Sequence, residues 1–252
     1  METVFSKEMK YFQHVDVRSY DADGAFRLKA EAFMNYAQEI AYRAATHLGF
    51  GFDELQARGA AWVLSRMHFV FCGSPKWRDS LSMYTWHKGL GGPFFLRDFE
   101  LLDASGERVV AGTSSWVVLD TSSRRLVRVS QLDGLVTEDS QCADNAIEEP
   151  APKIVFPKGA EGEYAGGHTV SYSDIDIVGH TNNVKYVSWA LDCIGYEEVA
   201  ARGVREVFVN FNHETHPGET VKLFRHHAED GSWYIEETVD GKCVASVRVI
   251  LG

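Results

Sequence analysis

"AEAFMNYAQEIAYRAATHLGFGFDELQARGAAWVLSRMHFVF", residues 30–71, changes its hydrophobic period midway. From Ala30 to Leu48 the apolar residues Phe33, Tyr36, Ala37, Ile40, Ala41 and Ala44 recur at helical spacing, with Glu31, Gln38 and Arg43 between them. That pattern predicts an amphipathic helix with one buried face. Two glycines in "LGFGFDEL" interrupt it, and "WVLSRMHFVF" (62–71) begins strand-like segments rich in Val, Phe and Trp. "SLSMYTWHKG", "FFLRDFELLDASGERVVAGTSSWVVLD" and "RRLVRV" continue in the same manner, with "DASGE" as a hairpin turn. The first half reads as one helix followed by antiparallel strands.

After the polar, proline-containing stretch "TEDSQCADNAIEEPAPK" (137–153) the same order begins again. "HTVSY" leads to a helix through "NVKYVSWALDCIGYEEVAARG", then to strands "EVFVNFNHE", "ETVKLFRHH", "WYIEETVD" and "KCVASVRVIL". "VRSY" (17–20) parallels "TVSY" (169–172), Tyr36 parallels Tyr186, and "SPKWRDSL" (74–81) takes the place of "HPGETV" (216–221). A long helix and a strand meander each have one apolar face, and wrapping the sheet around the helix buries both. That is the hotdog arrangement. The expected fold is α+β, a double hotdog of two tandem helix-wrapped antiparallel sheets packed as a pseudo-dimer. Its expected parts are an N-terminal domain at 1–136, a linker at 137–153 and a C-terminal domain at 154–252.

Composition fits a folded protein, at 45% hydrophobic and 24% charged residues. The N-terminus lacks the apolar stretch of a signal peptide and no segment approaches about 18 uninterrupted apolar residues, so a cytoplasmic protein without membrane insertion is expected. Cys72, Cys142, Cys193 and Cys243 are scattered without CxxC pairing, which suggests reduced thiols. A net charge of -11 argues against sequence-independent nucleic-acid binding. The densest cationic stretch is "SSRRLVRV", with Arg124, Arg125 and Arg128, either a solvated cluster or a docking site.

The candidate site lies in "SYSDIDIVGHTNNVKYVSWALDCI" (171–194), where two aspartates, a histidine and two asparagines precede an amphipathic run. Asn182 or Asn183 is the expected N-cap, since Val184, Val187, Ala190, Leu191 and Ile194 begin the periodicity just after. The positive end of a helix favours an oxyanion formed when a carbonyl is attacked. Caps and turn formers account for such residues about as well.

These stretches, together with "YAQEIA", "LRDFELLDASGE" and "GTSSWVVLDTSSRRLVRV", resemble the acyl-acyl-carrier-protein thioesterases of bacteria and plant plastids, which are double-hotdog enzymes. The resemblance implies hydrolysis of fatty acyl-carrier-protein thioesters, with release of free fatty acid. It places Asp176 and His180 in the catalytic constellation, with Glu214 as the later carboxylate. Two positions depart from it. Val178 stands where plant members have Asn, so any role of that amide passes to Asn182 or Asn183. Thr215 stands where they often have Cys, which leaves water-based hydrolysis. Either Glu214 or His180 would activate the water, with Asp176 orienting His180 or a neighbouring amide.

The first half has no equivalent histidine in its matching segment, "DADGAFRLKAEAF", so one site is expected, with the N-terminal half walling the acyl tunnel. Phe33, Met34 and Tyr36 are its expected lining. The implied partner is acyl carrier protein, acidic itself, with Arg124, Arg125 and Arg128 as its docking face; a homodimer stays open. A hotdog acyl-CoA thioesterase, a hydratase or dehydratase, and a non-catalytic acyl-thioester binder are the alternatives. No cofactor or metal is expected. "GLGG" (89–92) reads as a turn, and His213, His216, His226 and His227 lack a carboxylate or Cys to complete a ligand set.

Overall fold

A computed structural model describes residues 9–128, 140–157 and 159–252. Ten antiparallel strands form one sheet in the order β1-β3-β4-β5-β2-β7-β10-β9-β8-β6. The first half supplies β1 (Tyr11–Asp16), α1 (Ala30–His47), a short α2 (Phe52–Gln56), β2 (Ala60–Phe71), β3 (Ser80–Gly91), β4 (Phe94–Leu102) and β5 (Arg108–Asp120). The second repeats the plan with β6 (Glu163–Thr169), α3 (Asn183–Ile194), α4 (Tyr196–Arg202), β7 (Val204–Phe211), β8 (Thr220–His227), β9 (Trp233–Val239) and β10 (Lys242–Leu251). The halves meet where β2 pairs with β7, from Arg66 opposite Asn210 to Val70 opposite Glu206. This is the double hotdog.

Helix α1 is alanine-rich, which favours helix and allows close packing. It buries Phe33, Ile40 and six alanines, while Glu39 and Arg43 pair at 2.7 Å on its exposed side. It ends at Gly49 (φ 77°), after which the Phe50 N–H donates back to the Ala45 carbonyl. The predicted second helix is broken instead at Gly195 (φ 109°), giving α3 and α4. "RRLVRV" forms no strand among its described residues, only an isolated bridge between Leu126 and Leu119.

The repeat is visible in hydrogen bonds. The isolated bridge Ala22–Leu28 recurs as Ile175–Thr181. The Asp79 carboxylate accepts from the Lys76 N–H as Glu219 does from His216, both at 2.7 Å. In this register Val17 matches Val170, one residue away from the "VRSY"/"TVSY" parallel, and Tyr186 matches Phe33 rather than Tyr36. Tyr36 is an anchor: its hydroxyl donates to Asp21 Oδ2 at 2.6 Å.

One apolar core joins Phe33, Ile40, Phe69, Phe99 and Leu101 of the first half to Val187, Ala190, Val207 and Ile235 of the second. The connector crosses the opposite face of the sheet. Asp98 Oδ2 accepts from Lys88 (3.2 Å) and the Ala146 N–H (2.8 Å), and the Asn210 side chain holds the Ile154 N–H and Pro152 carbonyl. No strand or α-helix occurs between residue 140 and Glu163 among the described residues, so this packed strap runs past the expected boundary at 153.

One buried residue breaks the repeat's chemistry. Leu101 pairs with Met83 across β3–β4, and Glu237 pairs with Leu223 in the equivalent place of β8–β9. Glu237 is fully buried with neither carboxylate oxygen bonded. Burial pushes its carboxyl well above the ordinary range. The folded state therefore binds a proton that the unfolded chain releases above about pH 4.3, and stability falls as pH rises until Glu237 ionises in place. Glu237→Leu is expected to raise stability by about 1–3 kcal/mol and to flatten this pH dependence, measured by urea unfolding across pH. Asp98→Ala should cost about 3–5 kcal/mol by stranding Lys88.

Candidate active site

The segment before α3 is a scaffold built on Asp174. This buried carboxylate accepts from His168 Nε2 (2.7 Å) and from the Ser171 N–H (2.9 Å) and hydroxyl (3.1 Å). Burial pushes it up, but the bonds from His168 and Ser171 outweigh that and hold it below the ordinary carboxylate range. Its carbonyl accepts from the Asn182 N–H, which sets the helix start.

Between these points the chain makes a tight turn. Asp176 Oδ1 accepts from the Val178 N–H at 3.0 Å, its carbonyl from Gly179, and its N–H donates to the His180 carbonyl at 2.9 Å. Gly179 takes φ 84°, which only glycine adopts without strain. Asp176 thus shapes the turn that presents His180, and no hydrogen bond joins it to the imidazole. Asn182 is the N-cap, its Oδ1 accepting from the Val184 N–H at 3.0 Å. Asn183 is the first residue of α3. Neither Asn182 nor Asn183 lines the cavity described below, and Asn182 already engages two first-turn amides, the Val184 N–H through its side chain and the Lys185 N–H through its carbonyl.

His180 and Glu214 are brought together by their neighbours. Thr181 donates to the Thr215 carbonyl through its N–H (3.0 Å) and its hydroxyl (3.2 Å). Thr215 Oγ1 donates to Thr181 Oγ1 (2.7 Å) and lies 2.8 Å from the Tyr186 hydroxyl. With Thr215 clamped, the preceding Glu214 comes within reach of the residue preceding Thr181: His180 Nε2 is 3.5 Å from Glu214 Oε2. The Arg124 guanidinium donates to the same oxygen. Arg124 therefore belongs to the site, which corrects its reading as a free docking cation, and it comes from a turn 90 residues away that local pattern could not connect to Glu214. Arg125 and Arg128 are exposed nearby in the chain.

These groups stand at one cavity of about 550 Å³. Its walls come from the first half, with Ala41, Tyr42 and Ala45 of α1, Phe50, Phe52, Leu55, Trp62, Phe95 and Trp116. Ile177, Val178, His180 and Glu214 are the second half's contribution. Phe33 and Met34 are not lining: both are buried in the central core. Tyr36 is also absent from the lining, being held by Asp21.

His216 completes a cluster that spacing along the chain did not suggest. Ligand atoms of His180, Glu214 and His216 lie within 4.8 Å of one another, a donor set able to hold a divalent cation if Arg124 released Glu214.

The related position in the first half is filled. Arg27 stands where the second half has His180, donates to Asp23 Oδ2 at 2.8 Å and to the Ala200 carbonyl at 2.7 Å, and borders a cavity of only about 190 Å³. A Cβ on Gly203 would lie 2.5 Å from its guanidinium. An always-charged arginine tied to a carboxylate can neither take up a proton nor turn towards a substrate.

Two family models match the chain in order: the acyl-ACP thioesterase N-terminal domain at residues 8–132 and the C-terminal domain at residues 160–247. A palmitoyl-acyl carrier protein thioesterase of Gossypium hirsutum is 30% identical over 191 residues, 72% of this chain and 46% of that protein. Oleoyl-acyl carrier protein thioesterase 2 of Arabidopsis thaliana is 27% identical over 241 residues, 88% of this chain and 63% of that one. The chain thus spans less than two thirds of these chloroplastic relatives. In structure it is similar to a 12:0-ACP thioesterase of Umbellularia californica (TM-score 0.83, 22% identity, 97% of both chains). An acyl-ACP thioesterase of Bacteroides thetaiotaomicron is comparable (TM-score 0.82, 23% identity, 97% of this chain and 98% of that one). These likenesses carry the fold, and the paired N- and C-terminal matches carry the kinship: the chain belongs to the acyl-ACP thioesterase family.

Proposed function

We propose that this protein hydrolyses the thioester of a fatty acyl group carried on acyl carrier protein, releasing the free acid and ending chain elongation. The observation that carries the reading is the His180–Glu214 pair at the rim of a largely apolar cavity. The acyl chain enters the cavity and the thioester stays beside the pair. Glu214 takes a proton from a water that attacks the carbonyl carbon, and His180 donates to the carbonyl oxygen as it gains charge. The tetrahedral intermediate collapses with cleavage of the C–S bond, and Glu214 returns the proton to the departing thiolate. Arg124 fixes the carboxylate. Asp176 positions His180 by holding its turn. Thr215 is sealed behind the site by Thr181 and Tyr186, which supports a water rather than a side chain as nucleophile.

A carrier protein is acidic and this chain is too, so docking calls for local cations at the cavity rim. Arg125, next to Arg124, is the exposed candidate, with Arg128, also exposed, three residues further along the chain.

Glu214→Gln should lower kcat by about a hundredfold to ten-thousandfold, and His180→Ala by about a hundredfold to a thousandfold, with the melting temperature kept. Free fatty acid release from carrier-bound acyl groups reads both, and wild-type turnover in either variant removes that residue from the mechanism. Enoyl products from 3-hydroxyacyl thioesters would instead mark a hydratase, and binding without turnover a non-catalytic protein. Arg125→Glu is expected to reduce kcat/KM for carrier-bound substrate more than for the coenzyme A thioester; an equal effect on both would refute the docking role.

A further inference from the structure

Away from the polar groups at its rim, the buried lining of the cavity is apolar except at one place. Arg97 on β4 and His87 on β3 are directly opposed across the two strands, and both line it. Arg97 is 7% and His87 4% exposed. Side chains alternate along a strand, so Arg97 shares the helix-facing side with Phe99 while Asp98 points to the other face, where Lys88 and the connector occupy it. The adjacent carboxylate is thereby unable to neutralise the guanidinium. Among the described residues Arg97 makes one side-chain hydrogen bond, from Nη1 to Thr85 Oγ1 at 3.2 Å, and no ion pair. Burial lowers it to about 10, still cationic at neutral pH.

His87 is its complement. Nδ1 lies 3.0 Å from the Leu96 carbonyl, which can only accept, so the ring proton sits on Nδ1. Burial, and then the charge of Arg97, lower the imidazole to about 4, which keeps it neutral. Nε2 then carries a bare lone pair, and it is buried without a partner. A charged donor and an unpaired acceptor face the same cavity. A methylene satisfies neither, and a keto or carboxylate oxygen satisfies only the donor. A hydroxyl satisfies both, accepting from Arg97 and donating to His87.

The pair is far from the chemistry. Arg97 is opposite Ser114 on β5, and six residues of extended strand, about 20 Å, separate Ser114 from Asp120, where the turn carrying Arg124 begins. We propose that Arg97 and His87 form a subsite for a hydroxyl on the distal part of the acyl chain, so that the substrate class is hydroxylated fatty acyl thioesters. This rests on the acyl-thioesterase reading of the cavity. It also sets a ceiling for plain chains: one long enough to reach Arg97 strips it of water and offers nothing in return.

The test compares ω-hydroxyacyl, ω-carboxyacyl and methyl-ended thioesters over a series of equal lengths. The ω-hydroxy series should exceed the methyl-ended one in kcat/KM by about tenfold or more at the length that reaches the subsite, with the ω-carboxy series below it. Arg97→Met and, separately, His87→Phe should reverse the order in favour of the methyl-ended chain. A wild-type preference for methyl-ended chains at every length, or a ratio unchanged in both variants, overturns the proposal. So does a wild-type preference for the carboxylate. Hydrolysis of none of the three refutes the thioesterase reading instead. In that case calorimetric binding of ω-hydroxy and plain fatty acids to the wild-type protein still decides the subsite, which requires the hydroxylated acid to bind more tightly.

Discussion

The pairing of β2 with β7 is the constraint on which the architecture rests. From Arg66–Asn210 to Val70–Glu206, backbone hydrogen bonds join two half-sheets into one, so that neither half ends in an open edge at the centre. His68 strengthens the seam, its ring stacked on Phe208 at 4.0 Å and its Nε2 2.7 Å from Glu206. Once the sheet is continuous, α1 and α3 share one core, and the turn after β5 can reach the loop after β7. The Arg124–Glu214 contact follows from that geometry. The cavity walled mainly by one half then opens beside the His180–Glu214 pair of the other.

Internal repetition gives two equivalent positions, and their divergence gives one site. The backbone turn that presents His180 is kept at Arg27, including the Asx-type bond of Asp23 to the Ala25 N–H, which Asp176 makes to the Val178 N–H. Only the side chain differs, and it turns a titratable ring into a plug. The same divergence replaces Leu101 by Glu237 in the core, a change that costs stability and has no partner to offset it. The scaffold is kept as hydrogen bonds even where neighbouring letters have drifted: Asp21 accepts from the Arg18 N–H as Asp174 does from the Ser171 N–H.

What was legible in the sequence was local. Helix α1 was bounded to within a residue because periodicity and a glycine stop agree there, and the cap at Asn182 because capping is a short-range interaction. The repeat was legible as element order, whereas letter matching misplaced Tyr36 and the segment at Val17. Phe33 and Met34 were misjudged because periodicity tells which helix face is buried but not whether a core or a cavity lies against it. Arg124 and the opposed pair of Arg97 and His87 were hidden for a related reason: each acquires its meaning from a contact between separate strands or turns, which no spacing along the chain encodes.

The division of labour between the halves is tested most directly by narrowing the cavity from the half that lacks the His180–Glu214 pair. Ala45 on α1 lines the cavity and is buried. In an Ala45→Trp protein whose melting temperature is kept, hydrolysis of long-chain thioesters should fall by about tenfold or more while short-chain turnover persists, since each methylene excluded from the cavity forfeits about 0.8 kcal/mol. Long-chain turnover equal to wild type would contradict the account, because the chain would then be binding elsewhere.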